Sequence, residues 1–160
     1  MNELAMSLMS NSAFAPPKNI LQAIPERIAH EKPGLAPHSI YDEVWHMDFW
    51  QRITLDWVQG RATAYPASAV EGFPPNADEP WATVCKRFLA GTRSAAAVAC
   101  DTDGLDRVVA CPRIGSPDRT MSVRDQLESL AAHNAYHLGR VVLLRQLLGT
   151  WPPPDGGDTW

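Results

Sequence analysis

The chain has 160 residues, a formal net charge of −4 and 45% hydrophobic residues, which suits one domain able to bury a substantial core. Acidic residues outnumber basic ones by 18 to 14, so neither nucleic acid nor an anionic membrane surface is expected as a partner. No stretch approaches the roughly 18 uninterrupted apolar residues of a membrane span. Three cysteines without CxxC spacing support neither a disulfide framework nor a thiolate zinc site. We therefore predict a single domain over residues 1–160.

Residues 1–16 are predicted to form an N-terminal arm. Their Ala-x-Ala-like end imitates a signal-peptide cleavage site, but the segment lacks a basic start and a continuous apolar stretch, so we expect a cytoplasmic protein. A first helix is predicted from Pro17 through Ile28, ending at Lys32-Pro33-Gly34. Pro25 inside it implies a kink or a late start.

The second helix is predicted from Ser39, a favoured N-cap residue, to about Gly60. Asp42 and Glu43 lie in its first turns, where negative charge complements the helix dipole. Two polar residues interrupt the otherwise apolar stripe that faces inward. The stripe contains Glu43, His46, Trp50, Ile53 and Trp57.

Two more helices follow, separated by irregular connections at 61–78 and 104–120. The third helix begins at Pro80 and fades near Asp101. The fourth begins at Ser122, which forms a capping-box pattern with the acidic residue three positions later, and ends near Gly149. No segment shows the sustained alternation of a strand. We therefore predict an all-α four-helix bundle with long connections and an extended, non-helical C-terminal tail at 150–160 that lies along the bundle surface.

The fourth predicted helix carries His133 and His137, one helical turn apart. Residues at this spacing lie on one face of a helix, so both imidazoles can bind one ion. His137 falls on the apolar seam and His133 lies beside it. A buried imidazole needs a partner for each ring nitrogen, and a metal ion satisfies one nitrogen of each. We predict two ligands of a divalent metal; the alternative is two polar residues bonded to side chains or water.

A site that keeps an open coordination position needs a third ligand. His46 is the natural candidate, because facing helices of a bundle can bring it opposite the histidine pair. Asp42 and Glu43 are alternatives on the same face. Either could bond the far nitrogen of His46, lie near the metal, or act as a catalytic proton acceptor. An ordinary buried histidine bonded to a carbonyl is the other interpretation of His46.

Three segments resemble the bacterial DinB/YfiT-like family of metalloenzymes. They are residues 37–46 (PHSIYDEVWH), residues 130–140 (LAAHNAYHLGR) and residues 144–153 (LRQLLGTWPP). The resemblance implies a four-helix bundle of the up-down-down-up type, often a homodimer. It also implies a divalent ion held by one histidine of the second helix and two of the fourth, which are His46, His133 and His137 here.

The wider superfamily is similar to S-transferases and isomerases that use low-molecular-weight thiols such as bacillithiol or mycothiol, and many of its members have no assigned reaction. We expect an enzyme of the thiol-dependent transferase or hydrolase type, in which the ion lowers the pKa of a bound water or thiol. Zn²⁺, Ni²⁺, Co²⁺ and Fe²⁺ all suit three imidazoles. The alternative is a non-catalytic bundle dimer that the metal stabilises or that senses metal. A pocket opening onto the metal favours the enzyme acting on a small molecule; a closed site favours the alternative.

Four further polar residues are expected outside the site. His38 could carry protons at the open end of the bundle, although a loop or capping role is the stronger expectation, and His30 has no assigned function. Arg140 and Arg145 could meet an anionic substrate, but surface ion pairs are expected. Four tryptophans are expected to fill the core rather than line a pocket: Trp45, Trp50, Trp57 and Trp81.

Overall fold

The computed structural model describes residues 1–9, 13–115 and 117–156. Its elements in chain order are α1 (Glu3–Met9), α2 (Pro17–Ile20), α3 (Glu26–His30), α4 (Ile40–Val58), α5 (Trp81–Cys100), β1 (Val108–Cys111), β2 (Arg119–Ser122) and α6 (Val123–Leu147). Short 3₁₀ turns occupy Ala69–Gly72 and Thr102–Gly104. None of the helices in the described ranges combines the length and hydropathy that crossing a bilayer requires. The fold is mostly helical, as predicted.

Both helices that carry histidines begin at capping boxes. At the start of α4, the Ser39 hydroxyl accepts from the Asp42 amide at 3.1 Å and Asp42 Oδ2 accepts from the Ser39 amide at 2.9 Å. The same exchange joins Ser122 and Asp125 at the start of α6, at 3.0 and 3.4 Å. Each box satisfies two backbone donors that the first turn leaves unpaired. The predicted starts of these two helices are confirmed.

A buried polar network joins the three long helices. The Gln51 amide of α4 donates to the Phe88 carbonyl at 2.9 Å, and its oxygen accepts from the Thr92 hydroxyl at 3.1 Å. Asn134 of α6 lies 3.4 Å from the same oxygen. Gly91 makes room for this amide, since a Cβ there would lie 2.2 Å from Gln51 Nε2. Because a buried amide needs its partners, this network sets how α4 and α6 face each other.

The predicted first helix is divided into α2 and α3. Ala23, between them, has a φ of 55°, a left-handed conformation that an L-residue cannot continue as a helix. Pro25 then forms the N-cap of α3, because its missing N–H and fixed φ suit the beginning of a helix better than its interior. α2 packs against α6, and α3 packs against α4 and α5. The prediction of one helix with a kink or a late start at Pro25 is corrected to two short helices, the second of which begins after Pro25.

The connection at 104–120, predicted to be irregular, contains β1 and leads into β2. The two strands pair antiparallel, from Val108 opposite Ser122 to Cys111 opposite Arg119. Exposed and buried residues alternate along β1, but four residues are too few for this alternation to be recognised in the sequence. The buried side of the hairpin packs into the helical core through Val109 and Cys111. The all-α prediction is therefore corrected to a mostly helical fold with one small sheet.

The two ends of the chain pack on the helices where the structure describes them. The predicted arm contains α1, which buries Ala5 and Leu8 against α5 and α6; residues 10–12 of the arm lie outside the described residues. The tail has no helix between residues 150 and 156. It is held by two hydrogen bonds between Asp155 and Gln22, at 2.7 and 3.1 Å. Residues 157–160 of the predicted tail also lie outside the described part.

Arg145 is buried rather than at the surface, which corrects the prediction of a surface ion pair. Its guanidinium donates to the carbonyl oxygens of Ile20 at 2.5 Å and Thr150 at 2.6 Å. Trp151 packs on it, with the guanidinium carbon 5.6 Å from the centre of its ring. Carbonyl acceptors thus compensate the buried charge, and Arg145 joins α6 to α2 and to the tail.

Candidate metal centre

Three imidazoles meet between α4 and α6. His46 comes from α4 and both His133 and His137 come from α6; one ring nitrogen from each lies within 4.8 Å of the other two. Nε2 of His46 is 3.1 Å from Nε2 of His133. Two imidazole nitrogens bound at about 2.0–2.1 Å to one tetrahedral ion would be separated by about 3.3–3.4 Å. The spacing of this pair therefore fits two ligands of a common ion.

A backbone carbonyl fixes the orientation of His46. Its Nδ1 lies 2.8 Å from the oxygen of Gly72 and donates its proton there, so Nε2 presents its lone pair to the other histidines. Phe73 stacks on the imidazole with ring centres 4.1 Å apart, and His38 stacks on Phe73 at 4.0 Å. A Cβ at Gly72 would lie 2.8 Å from the Trp50 ring nitrogen and 3.3 Å from His46 Cε1. The close approach that aims His46 therefore requires glycine at residue 72.

A carboxylate fixes the orientation of His137. Nδ1 of His137 donates to Oε2 of Glu43 at 2.5 Å, and Arg140 Nη2 lies 2.8 Å from the other carboxylate oxygen. The Glu43 side chain is fully buried, so its charge is compensated mainly by these two groups. A carboxylate on the far nitrogen of an imidazole sets its tautomer and increases its basicity toward a metal. This arrangement leaves Nε2 of His137 free to bind an ion.

His133 is the least restrained of the three histidines. It is half-buried, and its Nδ1 lies 3.4 Å from Oδ1 of Asn134. Burial, followed by the nearby His137 and His46, lowers the pKa of His133 to about 4. Burial also lowers the pKa of His46. Both imidazoles are therefore neutral at neutral pH, in the form that binds metal ions.

The two carboxylates proposed as proton acceptors have different surroundings. Asp42 closes the capping box with Ser39 and forms an ion pair with Lys32 at 3.1 Å, so the structure does not bring it to the histidines. Glu43 reaches the site, where it contacts the far side of His137. The catalytic role suggested for either residue stays a prediction. The geometry assigns capping to Asp42 and orientation of a ligand to Glu43.

The two other histidines lie outside the cluster. His30 contacts Glu26 at 3.1 Å and stacks on Tyr41 with ring centres 4.3 Å apart. His38 precedes α4 and packs on Phe73 rather than on another histidine. Neither ring belongs to the group of three imidazoles formed by His46, His133 and His137.

A cavity of about 580 Å³ adjoins the three histidines, which form part of its wall. Trp50 and Trp57 of α4 line it, so two of the tryptophans expected to fill the core also face a pocket. Tyr65, from the connection at 61–78, and several residues of the hairpin complete the wall. The hairpin residues include Cys111, Arg119 and Met121. Sequence patterns did not indicate Tyr65, Gly72 or the hairpin, because none of them lies on a periodic helix face.

The sequence model of the DinB superfamily matches residues 18–141. The chain belongs to this superfamily. All three clustered histidines of this DinB superfamily chain lie inside the match, whereas the resembling segment at 144–153 lies beyond it. A DinB-like protein from Bacillus subtilis, YjoA, has a similar crystal structure, with a TM-score of 0.61, 16% sequence identity and 96% of each chain covered. At that identity the likeness shows the fold. No curated protein matches the chain.

Proposed function

We propose that this DinB superfamily chain is a divalent-metal-dependent enzyme acting on a small molecule, with His46, His133 and His137 as the metal ligands. One observation carries the proposal: three imidazoles converge on the wall of a cavity of about 580 Å³. Three ligands and adjoining empty space are the pattern of a catalytic site, whereas a structural ion is usually enclosed by four protein ligands.

The donor set fits a metal ion. His46 and His137 are each held through Nδ1 by a buried partner, so the nitrogens that face one another are the ones able to bind an ion. When bound, the ion would supply Lewis acidity that lowers the pKa of a water or thiol beside it. Three imidazoles suit Zn²⁺, Ni²⁺, Co²⁺ and Fe²⁺, and the proposal extends to all four.

The reaction that we propose is S-transfer from a low-molecular-weight thiol, with hydrolysis as the other version. The protein's part is to hold the ligands, to keep an apolar surface next to them and to limit water. Trp50, Trp57 and Met121 provide this surface. We assign Glu43 to positioning His137, because its carboxylate already contacts that imidazole and Arg140.

A non-catalytic bundle, stabilised by the metal or sensing it, is the alternative function. The cavity beside the histidines favours the enzyme, because a purely structural ion needs no adjoining space. A homodimer and the up-down-down-up order of four helices accompany the proposal as further expectations from the family resemblance. A cytoplasmic location is a further expectation from the sequence.

The test is a metal-dependent assay with two arms. The chelator-treated protein is loaded separately with each of the four ions and mixed with bacillithiol and 1-chloro-2,4-dinitrobenzene, or with 4-nitrophenyl acetate alone. We expect turnover in one arm that disappears in His133→Ala and is retained in His30→Ala, whose side chain lies outside the cluster. Metal bound at full occupancy with no turnover in either arm would favour the non-catalytic alternative.

A further inference from the structure

The hairpin contributes two arginines to the wall of the same cavity. Arg119 lies directly opposite Cys111 in the antiparallel register, and residues paired in this way project from the same face of a sheet. Arg113 follows Cys111 by two residues, and its backbone forms a bridge with Tyr65. Both arginines line the cavity together with the three histidines. The hairpin thus adds cationic groups to a site whose histidines come from helices.

These two arginines differ from those that pair with carboxylates. Arg87, Arg124 and Arg140 each form ion pairs, whereas Arg113 and Arg119 have none with any carboxylate in the described residues. The residues that line the cavity in this part of the chain include no aspartate or glutamate. Within the described residues, the cavity wall therefore contains no carboxylate that compensates the positive charge of Arg113 and Arg119.

Arg113 and Arg119 are both exposed, and an aromatic contact positions Arg113 at the cavity. The guanidinium carbon of Arg113 lies 5.7 Å from the centre of the Tyr65 ring, and Tyr65 in turn packs on Trp50 with ring centres 4.7 Å apart. Gln126, a neutral polar residue of the wall, donates to the sulfur of Cys111 at 2.9 Å. Arg113 and Arg119 are thus the cationic side chains of this wall.

We propose that the cavity binds a small molecule with an apolar body and an oxyanion group, a carboxylate or a phosphate, and that Arg113 and Arg119 bind the oxyanion. A guanidinium presents paired N–H donors that match either oxyanion. The apolar body packs on Trp50 and Trp57. The inference rests on the proposed function, because it assumes that the part of the ligand that reacts lies at the three histidines.

The test compares three probes of similar size: 2-naphthoate, 2-naphthyl phosphate and the neutral 2-naphthamide. Binding to the full chain is measured by titration calorimetry in the presence of chelator, so that no ion can bind the carboxylate or phosphate directly. Since a charge-assisted hydrogen bond changes affinity by about tenfold or more, we expect at least one anionic probe to bind about tenfold more tightly than the amide. The anionic probe that binds more tightly shows whether the oxyanion is a carboxylate or a phosphate.

Variants separate the two arginines from general charge effects. The double variant Arg113→Gln/Arg119→Gln should lose the preference for the anionic probe and should bind the neutral amide as tightly as the unaltered protein does. Arg124→Gln, which removes an exposed arginine paired with Asp106, should keep the preference, and Arg119→Gln alone should reduce it. Equal binding of charged and neutral probes by the unaltered protein, or an undiminished preference in the double variant, would overturn the inference. Because the binding measurement uses no metal, its outcome is independent of the turnover assay.

Discussion

The cavity has two walls that are built differently. The helical wall consists of the facing sides of α4 and α6 and carries the three histidines. The loop wall consists of residues 61–78 and the β1–β2 hairpin at 108–122. The helical wall is fixed by capping boxes and by the Gln51 network, whereas the loop wall is joined by backbone hydrogen bonds of Tyr65 to Pro112 and Ile114 at 2.8 and 3.2 Å.

The ligand atoms all come from the helical wall, whereas the groups that orient them come from both walls. The helical wall supplies all three imidazoles and orients His137 through Glu43. The loop wall supplies the Gly72 carbonyl that orients His46. Few contacts and a two-stranded sheet usually mean lower local stability. Changes in the loop wall should therefore alter metal affinity with little effect on the free energy of unfolding. Changes in the helical core, away from the histidines and the groups that orient them, should lower the free energy of unfolding with less effect on metal affinity.

The largest effect is expected within the helical wall, from Glu43→Gln. This change keeps the shape of the side chain but removes the charge that holds His137 and pairs with Arg140. Losing such a partner weakens metal binding by about 10–100-fold. Competition with a chromophoric chelator measures the affinity, and Glu128→Gln, on an exposed face of α6, is the matched control. An unchanged affinity for Glu43→Gln would remove the positioning role.

Gly72→Ala tests the loop wall. The added Cβ would lie 2.8 Å from the Trp50 ring nitrogen, so the segment must shift and weaken the hydrogen bond to His46. We expect metal affinity to fall by about tenfold, the low end of the effect of losing such an orienting bond, with a small change in the free energy of unfolding of the metal-free protein. A large loss of stability with unaltered affinity would contradict the division between the two walls.

Gly91→Ala is the counterpart in the helical core. Its Cβ would lie 2.2 Å from the buried Gln51 amide, and overpacking of this kind costs about 1–3 kcal/mol, partly offset by about 0.5–1 kcal/mol of helix propensity. We expect the free energy of unfolding, measured in urea, to fall by about 1–2 kcal/mol. Metal affinity should fall less than in Gly72→Ala, because the hydrogen bonds that orient His46 and His137 do not involve Gln51. Equal sensitivity of metal affinity to the two glycine variants would show that the loop wall and the helical core do not act separately.

The fourth expected effect is a pH dependence of the metal-free protein. The pKa of His133 is about 4 in the folded state and about 6.5 in an unfolded chain. Between these values the unfolded state binds a proton that the folded state does not, so stability falls as the pH is lowered through this window. His133→Gln should therefore flatten the decrease in unfolding free energy between about pH 6.5 and pH 4. Parallel curves for the two proteins would contradict the lowered pKa.

The helical wall was the predictable one. Spacing along α6 placed His133 and His137 on one face, and the Ser39 and Ser122 patterns marked where the two helices begin. His46 followed from facing helices and from the family resemblance. These features depend on residues within about one helical turn of each other or on a regular period, which sequence alone displays.

The loop wall could not be predicted from the sequence, for physical reasons. Each strand has four residues, so its alternation is too short to stand out. The partner of His46 is a backbone carbonyl 26 residues away, and any residue type supplies a carbonyl. Arg145 was misjudged for the same reason, because the acceptors that allow its burial are the main-chain oxygens of Ile20 and Thr150.

Elemental analysis of the purified protein tests the central claim most directly. The unaltered chain, His30→Ala, His133→Ala and His137→Ala are loaded with Zn²⁺, desalted and analysed for metal per chain, with circular dichroism to confirm that each variant is folded. We expect about one ion per chain in the first two proteins, as one three-ligand site requires, and loss of most of it from the last two. Full occupancy in folded His133→Ala or His137→Ala, or no bound ion in the unaltered protein, would contradict the three-histidine site.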